Sequence, residues 1–119
     1  MSKDIVFKKY IAVDGPDVSH LRIDLYYHLG GWNMFTYRDE PRGYYLSVTP
    51  VVLDAREGYT MESTTVFRGA KLLVKEVTRK GVGVAKAAEK VAMSRLKDLV
   101  NYVCTKENIK LLGEINING

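Results

Sequence analysis

The stretch from Val18 to Leu29 constrains the fold more than any other part of the chain. Leu21, Ile23, Leu25, Tyr27 and Leu29 alternate with His20, Arg22, Asp24, Tyr26 and His28. A strand sends successive side chains to opposite faces, so this alternation reads as a strand with one face buried. Ile5 to Val13 repeats the period through Ile5, Phe7, Ile11 and Val13, broken by Lys9. Between them, Asp14-Gly15-Pro16-Asp17 is a turn signal, because glycine reaches positive φ and proline fixes its own. The first two strands therefore read as an antiparallel hairpin.

Strand chemistry continues beyond Gly30-Gly31. Met34 to Tyr37 reads as a short strand, Asp39 to Gly43 as a turn, and Tyr44 to Leu53 as a longer strand. Asp54 to Tyr59 is a polar loop, and Thr60 to Phe67, rich in Thr and Val, favours another strand. Four or five strands with short connections suggest an antiparallel meander. After Gly69 the period changes. Lys71 to Lys80 carries good helix formers with Leu72, Leu73 and Val77 on one side, and reads as a short helix with a strand as the alternative. Gly81-Val82-Gly83 interrupts the pattern. From Val84, apolar residues at 84, 88, 91, 92, 96, 99, 100 and 103 form a stripe at helical spacing that reaches Cys104. Ile109 to Ile117 offers a last short strand through Leu111, Ile115 and Ile117. The expectation is a single α+β domain over residues 1–119. It has an antiparallel sheet of four to five strands, a short helix, and one long C-terminal helix packed on the sheet.

Composition excludes several functional classes. At 119 residues the chain can bury a core without disulfides or metal. Its 46% apolar and 27% charged content is that of an ordinary globular protein and argues against disorder. The single cysteine, Cys104, rules out an intrachain disulfide framework and a cysteine-based zinc site. No secretory h-region follows Met1, and no apolar run approaches the ~18 residues of a membrane span, so a cytoplasmic setting is expected. The net charge of +4 permits contact with nucleic acid without demanding it, and weighs against mimicry of DNA by charge.

Catalytic and metal chemistry find little support. His20 and His28 share a strand face but stand about 27 Å apart at a strand's rise per residue, too far to share a metal. Cys104 falls at the C-terminal end of the helical stripe, where a thiolate is not favoured, and reads as a core cysteine. Gly81-Val82-Gly83 lacks the strand–loop–helix context and further glycines of a nucleotide fingerprint. Asp24 with His28, and Asp39 with Glu40, are carboxylate settings without a supporting motif. No cofactor or metal is implied, and the chain does not read as an enzyme.

Two constellations remain. Trp32 to Tyr45 concentrates the only tryptophan with Tyr37, Tyr44, Tyr45, Arg38 and Arg42 around a turn. These residue types are enriched at binding hot spots, and aromatics beside arginines also stack on bases. The bland reading is that the aromatics fill the core of a sheet while the arginines pair with Asp39 and Glu40. The second constellation is a basic ridge. If Lys71 to Lys80 is helical, Lys71, Lys75 and Arg79 lie on one face with Lys80 adjacent. Lys86 and Lys90 repeat the spacing on the next helix, and Lys97 extends it. Such a ridge could track phosphates, although Glu76, Glu89 and Asp98 dilute its field.

Leu25-Tyr26-Tyr27-His28-Leu29-Gly30-Gly31-Trp32-Asn33-Met34-Phe35-Thr36-Tyr37, then Pro41-Arg42-Gly43-Tyr44-Tyr45-Leu46-Ser47-Val48, and Lys71 to Lys80 resemble small uncharacterised proteins of phages, plasmids and conjugative elements of gut Firmicutes. The resemblance covers roughly residues 8 to 104. It carries no activity with it; Gly81-Val82-Gly83 replaces a polar Ser-Lys-Lys-like stretch of similar proteins and speaks against one continuous helix from 71 to 104. What it implies is a mobile-element setting, where small single-domain proteins act by binding. The resulting expectation is a non-catalytic accessory protein that binds nucleic acid or a nucleoprotein machine, an anti-CRISPR-like inhibitor being one concrete form. The alternative is a self-associating or protein-interaction module without nucleic-acid contact.

Overall fold

The structure, a computed structural model, describes residues 4–34, 36–64 and 68–113. The chain runs β1 (Asp4–Gly15), β2 (Val18–His28), β3 (Gly31–Asn33), β4 (Arg38–Glu40), β5 (Gly43–Arg56), β6 (Tyr59–Thr64), β7 (Ala70–Glu76), α1 (Val82–Glu107) and β8 (Lys110–Leu111). This is an α+β fold: a mostly antiparallel sheet with one long C-terminal helix.

The main sheet has the order β6-β5-β2-β1-β8, with β7 also paired to β5. Asp17, at φ 54°, closes the β1–β2 hairpin, a conformation its short polar side chain tolerates. β5 receives β6 along residues 51–56 and β7 along residues 43–48, both antiparallel and on the edge away from β2. β6 and β7 are thus two segments of one broken edge strand. Thr64 faces Val51 while Ala70 faces Val48, so six steps along the chain match three along β5.

Instead of the expected four to five strands, the main sheet has six, with β3–β4 as a separate two-stranded ribbon. Asp54 to Arg56, expected in a polar loop, continue β5 because β6 pairs with them. The sequence expectation differs at three further places. Lys71 to Lys80 is not a short helix: residues 70–76 form β7, and among the described residues α1 is the one helix. The physical reason is the open edge of β5, whose unpaired N–H and C=O groups β7 satisfies. The boundary between strands and helix therefore moves from Gly69 to the link after Glu76. Second, the expected strand over 34–37 does not form: Met34, Thr36 and Tyr37 lie in a turn between the short strands β3 and β4, and Arg38 to Glu40 is extended. The Tyr37 N–H returns to Asn33 O at 2.9 Å, the Thr36 N–H bonds Asn33 Oδ1 at 3.2 Å, and Tyr37 sits at φ 55°. One tight i→i+4 turn thereby reverses the chain. Third, α1 begins at Val82, so Gly83 lies inside the helix rather than before it. The expected strands over 60–67 and 109–117 correspond to β6 and to the much shorter β8, with Ile109, Leu112 and Gly113 outside the strand. Residues 65–67 and 114–117, with Ile115 and Ile117 among them, and Phe35 lie outside the described residues.

The core lies between one sheet face and α1. Leu21, Ile23, Leu25 and Tyr27 of β2 join Tyr44, Leu46 and Val48 of β5 and meet Ala88, Ala92, Leu96, Val100 and Val103 of the helix. Full burial of each large side chain is worth roughly 1.5–3 kcal/mol. Alanines at 88 and 92 let the helix approach the sheet closely. Leu29 leaves the pattern and is exposed, as is Val91 on the helix. Asn108, at φ 56°, stops α1, and the Ile109 N–H returns to Cys104 O at 2.9 Å. No helix among the described residues is long and apolar enough to cross a membrane.

Candidate binding surfaces

The face of the sheet opposite α1 carries a charged network. Arg22 and Asp24, two residues apart on β2, share this face, and Arg22 Nε meets Asp24 Oδ2 at 2.8 Å. Arg22 Nη1 reaches Glu62 of β6 at 2.6 Å, and Tyr10 of β1 donates to the other Glu62 oxygen at 2.8 Å. β2 and β5 separate the strands of Tyr10 and Glu62, about 14 Å apart in a flat sheet. Their contact therefore requires the sheet to curl, making this face concave. Asp24 is buried, and its Oδ1 has no hydrogen-bond partner. Sequence reasoning placed Arg22 and Asp24 on one face but had no signal for Glu62 or Tyr10, whose positions depend on strand order.

Farther along the same face, Tyr26 stacks on Tyr45 at 6.0 Å, and the His28 ring meets Tyr45 edge-on at 5.9 Å. The opposite face of the neighbouring rung holds Tyr27 against Tyr44 at 5.2 Å. Tyr44 and Tyr45 are thus buried on opposite sides of the sheet. Burial pushes up the phenol of Tyr26, with Glu40 adding to the effect, and that of Tyr45 likewise. The Tyr45 hydroxyl donates to Pro41 O at 2.6 Å.

Lys71 lies over the Tyr45 ring, 5.5 Å from its centroid, and forms an ion pair with Glu40 of β4. Burial opposes ionisation of Glu40, but the Lys71 ammonium and a hydrogen bond from Asn33 outweigh it and hold the carboxyl below its usual range. This contact pins the root of the β3–β4 hairpin to the open face. At the far end of the hairpin, Trp32, Met34 and Tyr37 are 60%, 75% and 77% exposed, with Trp32 and Tyr37 edge-on at 6.5 Å. Arg38 beside them is exposed too.

The basic ridge does not form as expected. Lys71 faces Ser47 and Lys75 faces Tyr44, but a bulge between them sends the two lysines to opposite faces of the sheet. Lys80 pairs with Asp4. Arg79 lines an open depression of about 530 Å³ with Arg42, Glu76, Val77, Thr78 and Val84. Arg42 does not pair with Asp39 or Glu40 as the bland reading supposed. Its guanidinium donates to Leu29 O at 3.1 Å and Thr78 O at 3.3 Å, tying two chain segments together. What survives is on α1: Lys86, Lys90 and Lys97 fall within about 40° of one another around the helix axis and are exposed. They form no ion pair among the described residues.

The remaining candidates take structural roles. His28 Nδ1 accepts from the Gly30 N–H at 2.9 Å, and Asp24 takes Arg22, not His28, as its ion-pair partner. Asp39 pairs in register with Trp32. Cys104 is half-buried, and burial pushes its thiol up. Comparison with protein-family models, curated proteins and solved structures finds no match to this chain.

Proposed function

We propose that this is a non-catalytic binding protein that docks on the protein component of a nucleoprotein machine through the tip of its β3–β4 hairpin. The observation that carries the reading is the exposure of Trp32, Met34 and Tyr37 together, on a hairpin whose root is held by Glu40 and Lys71. Tryptophan, tyrosine, methionine and arginine are enriched at interface cores and hot spots. A tip carried on an anchored root loses little conformational freedom on binding. The mobile-element setting implied by the motif resemblance supplies the context, in which inhibition of a host defence complex, anti-CRISPR-like in kind, is the concrete form proposed.

The test is affinity capture from a host lysate, with and without nuclease, by the wild type and by Trp32→Ser/Tyr37→Ser. A protein retained after nuclease and lost with the double substitution supports the reading. Capture indifferent to the substitution rejects it.

A second reading, direct contact with nucleic acid, has its own observation in Lys86, Lys90 and Lys97, a row about 16 Å long by the helical rise. Mobility-shift assays at low salt should then show binding that weakens with salt and disappears in Lys86→Glu/Lys90→Glu/Lys97→Glu. The row belongs to α1 on one face of the sheet and the hairpin root to the other. The two readings are therefore separable by mutation.

A further inference from the structure

The link from β7 to α1 runs beside the start of β5. The Val77 N–H bonds Arg42 O at 3.1 Å, and the Arg42 guanidinium reaches back to Thr78 O at 3.3 Å. These two bonds frame the open depression of about 530 Å³ lined by Arg42, Glu76, Val77, Thr78, Arg79 and Val84, all of them described residues. Its volume lies within the roughly 300–1,000 Å³ of small-ligand sites. The two arginines play different parts in it. Arg42 spends Nε on Leu29 O at 3.1 Å and Nη1 on Thr78 O, which fixes the plane of its guanidinium and leaves its other N–H donors for a ligand. Arg79 is exposed and forms no ion pair among the described residues, so it can close on whatever Arg42 presents.

A guanidinium held in plane beside a second, unpaired one suits an oxyanion, because each offers a fork of donors to two oxygens. The first turn of α1, with no acidic residue and no side-chain cap at Gly81, adds the positive end of the helix dipole to theirs. Glu76 limits what fits. It pairs with neither arginine among the described residues. Its carboxylate therefore repels an anion that brings no donor and accepts from one that does. A bare oxyanion suits the depression less than an ester that also carries hydroxyl groups. Val77 and Val84 supply apolar wall for the carbon skeleton of such an ester. We infer that this depression is a binding site for a small hydroxyl-bearing phosphate ester, its phosphate between Arg42 and Arg79 and a hydroxyl donating to Glu76. The site stands apart from the hairpin tip and from the lysine row of α1 and uses no residue of either.

The test is an NMR titration of the isotope-labelled full-length protein with ribose phosphate, ribose and sulfate. Ribose phosphate should shift the amides from Val77 to Val84 and saturate, and ribose should shift none. Sulfate, which has no hydroxyl to donate, should bind at the same amides about tenfold more weakly, as expected for one missing hydrogen bond to a charged group. Arg79→Gln, at a side chain without an ion pair in the fold, should weaken ribose phosphate at least about tenfold through loss of a charge-assisted bond. Glu76→Ala should bring the affinities for ribose phosphate and sulfate together. Lys86→Glu/Lys90→Glu/Lys97→Glu should leave both unchanged, whereas a general attraction of anions to a basic chain would fall with it. Shifts that do not saturate, equal affinity for the two anions in the wild type, or affinity unmoved by Arg79→Gln would overturn the inference. So would a preference for ribose phosphate that survives Glu76→Ala, or binding lost in the triple lysine variant.

Discussion

The phenol of Tyr10 on β1 donates a 2.8 Å hydrogen bond to the carboxylate of Glu62 on β6, across the two strands that lie between them. Glu62 also receives Arg22, which holds Asp24 on its other side. One acid from the edge of the sheet thus joins three residues of the first hairpin. The network curls the sheet away from α1 and keeps the buried charge of Asp24 compensated.

Removing the centre of that network should be costly. Arg22→Met leaves Asp24 buried without its cation and is expected to lower stability by about 3 kcal/mol, against much less for Arg22→Met combined with Asp24→Leu. Urea denaturation of the two variants checks the difference. Equal losses would mean that the ion pair itself, not the stranded carboxylate, carries the energy.

Acid should loosen the hairpin root. The Glu40 carboxyl is held below its ordinary 4.5 in the folded protein. The folded state then binds fewer protons than the unfolded one. Its contribution is complete above 4.5 and is lost as pH falls from there through the lower folded value. Wild-type melting temperature should drop more steeply than that of Glu40→Gln on acidification below about pH 5. Parallel curves would contradict the assignment.

At the alkaline end the sign reverses. The phenols of Tyr10, Tyr26 and Tyr45 are all raised, burial being the first cause of each. Their neutral forms stabilise the fold fully below the unfolded value of 10.0, and that contribution fades as pH rises beyond it. Tyrosinate absorbance at high pH should therefore rise in two stages, with the late stage coinciding with loss of near-ultraviolet dichroism. A single early stage would refute the burial argument.

Gly43 opens β5 at a point where a side chain does not fit. A Cβ there would run into the Lys75 carbonyl oxygen and lie 2.9 Å from Glu76 Cα, both backbone atoms of β7. Gly43→Ala is expected to cost at least about 2 kcal/mol by forcing β7 from β5. By contrast, Gly83→Ala meets nothing within 4 Å in the first turn of α1 and should stabilise by a few tenths of a kcal/mol. Thermal melts of the two variants should move in opposite directions.

The sequence by itself determined the elements whose hydrophobic period is unambiguous. The alternation at Leu21, Ile23, Leu25 and Tyr27 became the core face of β2, and the stripe through Ala88, Ala92, Leu96, Val100 and Val103 became the buried face of α1. In both cases one periodicity accounts for the residues packed between sheet and helix, although β2 also buries Asp24 and Tyr26 on its other face, which the alternation assigns to solvent. Lys71 to Lys80 had no such signature. Its Leu-Leu-Val core suits a strand or a helix, and the vacant edge of β5 decided for the strand. That decision, with the bulge at Val74, dispersed the basic ridge that helical spacing had suggested. Tertiary structure alone set Tyr10 against Glu62 and Glu40 against Lys71. It also sent Tyr44 and Tyr45 into the interior while leaving Trp32 and Tyr37 outside. Contacts between residues distant in the chain depend on which strands become neighbours and how the sheet curls, and local periodicity contains neither.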